Sequence, residues 1–171
     1  MNQADRPQFT RIEIPLGDRI ARVVRNGGSG SFRHGDLAGC YEFTGPRVRI
    51  ASADGACWIT LSSALSLERM RVGVAFDTSQ GRGHLRTSRK GPSRAARQVE
   101  VQFDSVDLVA RFRGWRDWLV SDADGGPVVA IFRGSSTTVR ADVDVPVVLL
   151  CMALRLARVP IATSASLIAN L

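Results

Sequence analysis

The densest run of chemistry-bearing side chains is Gly81–Arg97, GRGHLRTSRKGPSRAAR, which carries Arg82, Arg86, Arg89, Lys90, Arg94 and Arg97 with His84 and no acid. Guanidinium groups grip phosphate oxygens through paired hydrogen bonds. These six cations are therefore candidate ligand-binding residues for anionic phosphate groups, on lipid headgroups or on nucleic acid. Gly81, Gly83, Gly91 and Pro92 oppose a stable helix, so the expectation is a solvated, flexible basic loop over 78–97. The other reading of the run is a plain strand connection in an arginine-biased chain, since Lys90 is the only lysine among 23 basic residues. Stacking of single-stranded bases needs aromatics interleaved with the cations. The run holds none, which ranks nucleic acid below an anionic membrane surface, where charge alone suffices.

Catalysis has little to stand on. His34 and His84 are the only histidines, each expected in a glycine-bearing loop, and Asp36 is the one carboxylate close to His34. Neither histidine has a nucleophile or a metal-ligand companion at useful spacing. The glycine runs NGGSGS, from Asn26 to Ser31, and GRGH do not join a strand to a helix as phosphate-binding loops do. Asp122, Asp124, Asp142 and Asp144 offer oxygen ligands for a cation, but the first two stand where a turn wants Asp and the others read as the polar face of a strand. Cys40, Cys57 and Cys151 are odd in number and widely spaced, with no C-x-x-C; that fits a reducing compartment, and Cys151 is expected to be buried and inert. The expectation is a protein that is no enzyme and has no cofactor and no metal.

The elements that must carry these side chains follow from period-two alternation of apolar and polar residues along most of the chain, the mark of half-buried antiparallel strands. Ile12, Ile14 and Leu16 form the first stripe, and Ile20–Arg25 the next. Tyr41–Phe43, Val48 with Ile50, and Trp58–Leu61 follow, the last two joined by the Ala53-Asp54-Gly55 turn. Met70, Val72, Val74 and Phe76 alternate as one strand. Val99–Phe103, Val106–Phe112, Trp118–Val120, Val128–Phe132 and Val139–Val145 complete the series. Asn26–Gly39 is glycine-rich and poor in strand formers. Trp115 and Trp118, in GWRDW, read as packing residues.

At Pro146 the period changes. Val147–Arg158, VVLLCMALRLAR, reads as a helix that is apolar on every side and so must be surrounded. Twelve residues rise only about 18 Å, short of a bilayer span. Its Arg155, once enclosed, requires a partner or an open mouth. The expected architecture is mainly β: a closed antiparallel sheet wrapped around this helix, residues 1–171 forming one domain and 160–171 a C-terminal tail. A net charge of +7 favours acidic partners. The opening, Met1–Thr10, has no apolar segment of the secretory kind, and the expected location is cytoplasmic, including the periphery of a membrane.

Two pieces, WLVSDADGGPVVAIFR and ADVDVPVVLLCMALRLARVP, together resemble the end of the tubby C-terminal-like superfamily, which includes the LURP-one-related proteins and the phospholipid scramblases. The resemblance covers Trp118–Pro160, with the earlier strands matched by number only. It implies a closed antiparallel β-barrel of about twelve strands threaded by the helix Val147–Arg158 and, from some tubby-type members, phosphoinositide binding through basic surface residues. No lipid-binding residue of the family carries over by motif. The expectation is a non-enzymatic binding module for anionic phosphate groups such as phospholipid or phosphoinositide headgroups. A protein-interaction or scaffold domain, with an acidic protein as partner, is the alternative. A nucleic-acid binder and a small enzyme rank lower.

Overall fold

The structure is a computed structural model and describes residues 7–14, 28–62, 67–89, 97–113, 117–123, 125–134 and 136–156. Twelve strands form a single antiparallel sheet: β1 (Phe9–Arg11), β2 (Ser29–His34), β3 (Leu37–Thr44), β4 (Arg47–Ser52), β5 (Trp58–Ser62), β6 (Val74–Thr78), β7 (Gly81–Arg89), β8 (Arg97–Phe103), β9 (Val106–Phe112), β10 (Asp117–Asp122), β11 (Val128–Arg133) and β12 (Ser136–Arg140). A short helix, α1 (Leu67–Val72), lies between β5 and β6, and α2 (Val145–Leu156) follows β12. From β2 to β12 each strand pairs with its neighbour in sequence, and β1 returns to lie beside β12.

Closure rests on the segment that continues β1. Ile12 donates its N–H to the Thr137 carbonyl at 2.8 Å, and one residue on, Glu13 and Arg33 exchange two backbone hydrogen bonds of 2.8 Å. One short segment thus joins β12 on one side to β2 on the other. The sheet is a nearly closed barrel, and most of its length is stabilised by local hairpins.

The interior is filled by α2. Val147–Leu154 are buried without interruption, which an α-helix achieves only when protein surrounds it. It packs closest to β4, β5 and β12, meeting Val48, Ile50, Ile59, Leu61 and Val139 in a shared core. Each fully buried Leu or Met there contributes roughly 2 kcal/mol of hydrophobic stabilisation. The helix begins two residues before the expected Val147. Asp144 accepts the N–H groups of Val147 at 3.0 Å and Val148 at 3.4 Å, so Pro146 falls in the first turn, where its missing N–H is not needed. Arg158 and the tail 160–171 lie outside the described residues.

Several expectations are corrected. Met70 and Val72 belong to α1, not to the strand of Val74 and Phe76. Gly73, at φ 110°, breaks the chain between them, its N–H closing the helix on the Arg69 carbonyl at 2.9 Å. The last strand stops at Arg140: Ala141–Asp144 turn into α2, and Arg140 pairs with Asp142 through that turn. The first strand is Phe9–Arg11 rather than a run to Leu16, which with Ile20–Arg25 and Trp115 lies outside the described residues.

The largest corrections concern glycine. The loop expected over 78–97 is in large part β7, at nine residues a long strand, and the glycine-rich stretch after Asn26 holds β2 and β3. The reason is shared. Gly83 stands opposite Phe76, Gly39 opposite Phe32 and Gly30 opposite Tyr41 in the cross-strand register. In each pair the aromatic ring lies over the glycine, and a Cβ there would run into it. The neighbour's ring supplies the apolar cover that the glycine's own strand lacks.

Candidate functional site

On the outer wall of β4–β7 the pleat turns one set of side chains away from the core. Arg47 and Arg49 alternate with buried Val48 and Ile50 and both face outward. The register then runs across the sheet from Arg49 to Thr60 on β5, from Thr60 to Asp77 on β6, and from Asp77 to Arg82 on β7. Because directly opposed residues lie about 5 Å apart, these four strands set a row of polar groups side by side. With Trp58, Thr44, Thr78 and Gly81 they line an open cleft of about 600 Å³.

The charge balance of this cleft is three guanidinium groups to one carboxylate. Arg82 reaches Asp77 at 3.3 Å, an exposed pair of the kind worth under about 1 kcal/mol and readily exchanged for another anion. Arg49 lies over the Trp58 ring, its guanidinium carbon 4.6 Å from the centroid, which restrains a long side chain that would otherwise sample many rotamers. Thr78 is committed to the turn that follows β6: its hydroxyl donates to the Gly81 carbonyl and accepts from the Gln80 N–H, both at 3.2 Å. What the arrangement offers chemically is a shallow, wet anion site with fork-shaped donors from opposite walls.

The six cations expected to act together are divided. Arg82 lies in the cleft. Arg86 is bound at 2.8 Å to Glu100 across the β7–β8 pair, and Glu100 also accepts from Ser88 at 2.7 Å and Gln98 at 2.9 Å. The Arg86 hydrogen bond and then those of Ser88 and Gln98 hold the Glu100 carboxyl down to about 2. Glu100 is therefore a local acid for the run that contained none in its own sequence. Arg89 and Arg97 oppose each other where β7 and β8 meet, and Lys90 and Arg94 lie outside the described residues. Arg47, Arg49 and Trp58 were not picked out from the sequence; the alternation R-V-R-I on β4 was the one available signal.

The remaining candidates are structural. His34 ends β2 with its ring buried, and its Nε2–H donates to the Val139 carbonyl at 3.1 Å, tying β2 to β12 beside the closure; it is not in a loop. Arg155 donates to the Thr137 hydroxyl at 3.0 Å, the partner that its enclosure required. The Tyr41 hydroxyl is buried with no hydrogen-bond partner among the described residues; burial raises its pKa while the nearby Arg155 lowers it. Cys151 is wholly buried, and desolvation pushes its thiol up to about 12, so it is inert at neutral pH. Trp118 stacks on Phe132, centroids 5.0 Å apart, as a packing residue. Asp142 and Asp144 serve the turn before α2, and the described residues hold no cluster suited to a metal. Among them no helix is long and apolar enough to cross a membrane. Comparison of the chain with protein-family models, with curated proteins and with solved structures gives no match in any of the three.

Proposed function

We propose that this protein is a non-enzymatic binding module for anionic phosphate groups of the phospholipid or phosphoinositide headgroup kind, and that the cleft on β4–β7 is its contact. The observation that carries the reading is the convergence of Arg47, Arg49 and Arg82 on one open cleft that holds a single carboxylate. Clustered phosphates supply several oxygens to several guanidinium forks at once, which a lone carboxylate ligand does not. Trp58 adds a flat apolar wall beside the cations, suited to the ring or glycerol face of a headgroup. A barrel around a helix is the fold that the resemblance to the tubby C-terminal-like superfamily implies, and in some tubby-type members basic surface residues bind phosphoinositides.

The test is calorimetric titration of the whole chain with inositol trisphosphate and with inorganic phosphate at low salt. The trisphosphate binds more tightly, and Arg47→Ala and Arg49→Ala each weaken it roughly tenfold, the worth of a charge-assisted hydrogen bond. Equal, undetectable heats for both anions would remove the reading.

A further inference from the structure

Antiparallel topology puts alternate connections at opposite ends of a barrel, so their sequences can be compared end against end. At one end lie the connections β2–β3, β4–β5, β6–β7, β8–β9, β10–β11 and β12–α2. They contain Asp36, Asp54, Asp104, Asp142 and Asp144, all exposed, and no lysine or arginine; Asp122 and Arg140 close strands there, the arginine paired with Asp142. At the other end, α1 and the exit of β9 hold Arg69, Arg71 and Arg113, while Arg47 and Arg133 close strands there; all five are exposed. The acids at this second end, among the described residues, are Glu68 and Asp117. Charge is therefore sorted along the barrel axis, and a net charge of +7 understates how basic one end is.

A second observation falls at the same end. Val72, the last residue of α1, is 88 % exposed, far more than Phe9 at 36 %, the other large apolar side chain left outside the core among the described residues. It follows Arg71 directly and lies three residues from Arg69. An exposed apolar group beside two cations of its own helix suits the boundary between lipid headgroups and acyl chains, where charge attracts and a small apolar area inserts. Nucleic acid has no use for an exposed valine. A second copy of the chain, presenting its acidic end, satisfies the charge but not the valine.

We infer that the basic end, with Val72 at its tip, docks the barrel end-on onto an anionic bilayer, the aspartate-bearing end pointing away. The inference rests on the proposed anionic-phosphate reading and gives it an orientation. The cleft runs along the wall from Thr44 and Arg47 at this end of β3 and β4 to Thr78 and Gly81 at the other, so end-on docking brings its Arg47 end nearest the membrane. Repulsion of the aspartates by the same surface opposes the inverted and side-lying poses.

The experiment is co-sedimentation of the full chain with vesicles of phosphatidylcholine alone and of an equimolar mixture with phosphatidylserine, at low and at raised salt. The mixed vesicles retain the protein at low salt and release it as salt rises. Arg71→Glu with Arg113→Glu lowers partitioning on the order of thirtyfold or more, since each basic group near the surface is worth about 1 kcal/mol. Val72→Asp weakens it further and Val72→Trp strengthens it. Asp36→Lys, at the far end and beyond the screening length of roughly 10 Å, leaves it nearly unchanged. Titration of the same variants with inositol trisphosphate separates the two ideas, because the end variants leave the cleft affinity intact. Equal retention on both vesicle types overturns end-on docking even where the cleft still binds the soluble anion. So does an Asp36→Lys gain as large as the Arg71→Glu loss. Salt-sensitive self-association that Arg71→Glu abolishes without vesicles would assign the polarity to copies of the chain instead, and overturns the proposal.

Discussion

The guanidinium carbon of Arg49 sits 4.6 Å from the centroid of the Trp58 ring, on the strand next to it. The contact spans a diagonal of the β4–β5 register, where Arg49 opposes Thr60 and Ala51 opposes Trp58. If the indole preorganises the cation, Trp58→Leu lowers affinity for inositol trisphosphate by about threefold, the worth of an exposed cation–π contact. Arg49→Lys, which keeps the charge but loses the flat fork, costs more than that. Calorimetric titration of both variants checks the order, and an Arg49→Lys protein that binds as wild type would reduce Arg49 to a point charge.

Glu100 ties β7 to β8 in a pH-dependent way. Its carboxyl is held down to about 2 by Arg86, Ser88 and Gln98, against an unfolded value near 4.5. A depressed carboxyl stabilises the fold fully above the unfolded value, and that contribution fades as pH falls from about 4.5 toward 2. Arg86 is largely exposed, so solvent screening leaves on the order of 1 kcal/mol. Thermal melts across that window should show wild type losing stability faster than Glu100→Gln. Parallel pH profiles for the two proteins would refute the assignment.

Gly83 owes its place to Phe76. A Cβ at position 83 collides with the Phe76 ring, so Gly83→Ala is expected to cost about 1–3 kcal/mol, as overpacking does. Phe76→Leu alone also destabilises, but adding it to Gly83→Ala should cost less than the sum of the two. Urea denaturation of the four proteins measures that coupling; strict additivity would mean that the ring does not occupy the glycine's space.

Two buried polar groups near α2 make opposite predictions. Thr137→Val removes the hydroxyl that receives Arg155 at 3.0 Å and should destabilise by about 1–3 kcal/mol, because a partly buried cation loses one of its hydrogen bonds. Tyr41→Phe deletes a buried hydroxyl that has no partner among the described residues, and stability should hold or rise by up to about 1 kcal/mol. Denaturant midpoints decide both; a clear loss in Tyr41→Phe means that the hydroxyl is bonded.

How much of this was legible follows from where each signal is stored. Val99, Val101 and Phe103 announce an inward face within one strand, and Val147–Leu154 announce a surrounded helix, so barrel and threaded core follow from local pattern. β7 does not announce itself, because its inward positions are Gly83, Leu85 and Thr87, and the apolar bulk over Gly83 belongs to Phe76 on another strand. The same displacement hides β2 and β3. Met70 and Val72 carry a strand's spacing, yet the freedom of Gly73 breaks the run after a single helical segment. The cleft is less legible still. Arg49, Thr60, Asp77 and Arg82 meet only through three successive registers, each set by a different connection.

That the filling of the barrel is encoded after its wall has a consequence for synthesis. The twelve strands among the described residues leave the ribosome before Val145–Leu156, and β1, made before the other eleven, waits for β12 to find its neighbour. Hairpins can close as they emerge, but the nascent sheet stays hollow, its apolar face wet and adhesive, until that helix is released. Such a chain completes its fold late, and in that interval it depends on holding chaperones more than a protein whose interior is laid down from the start.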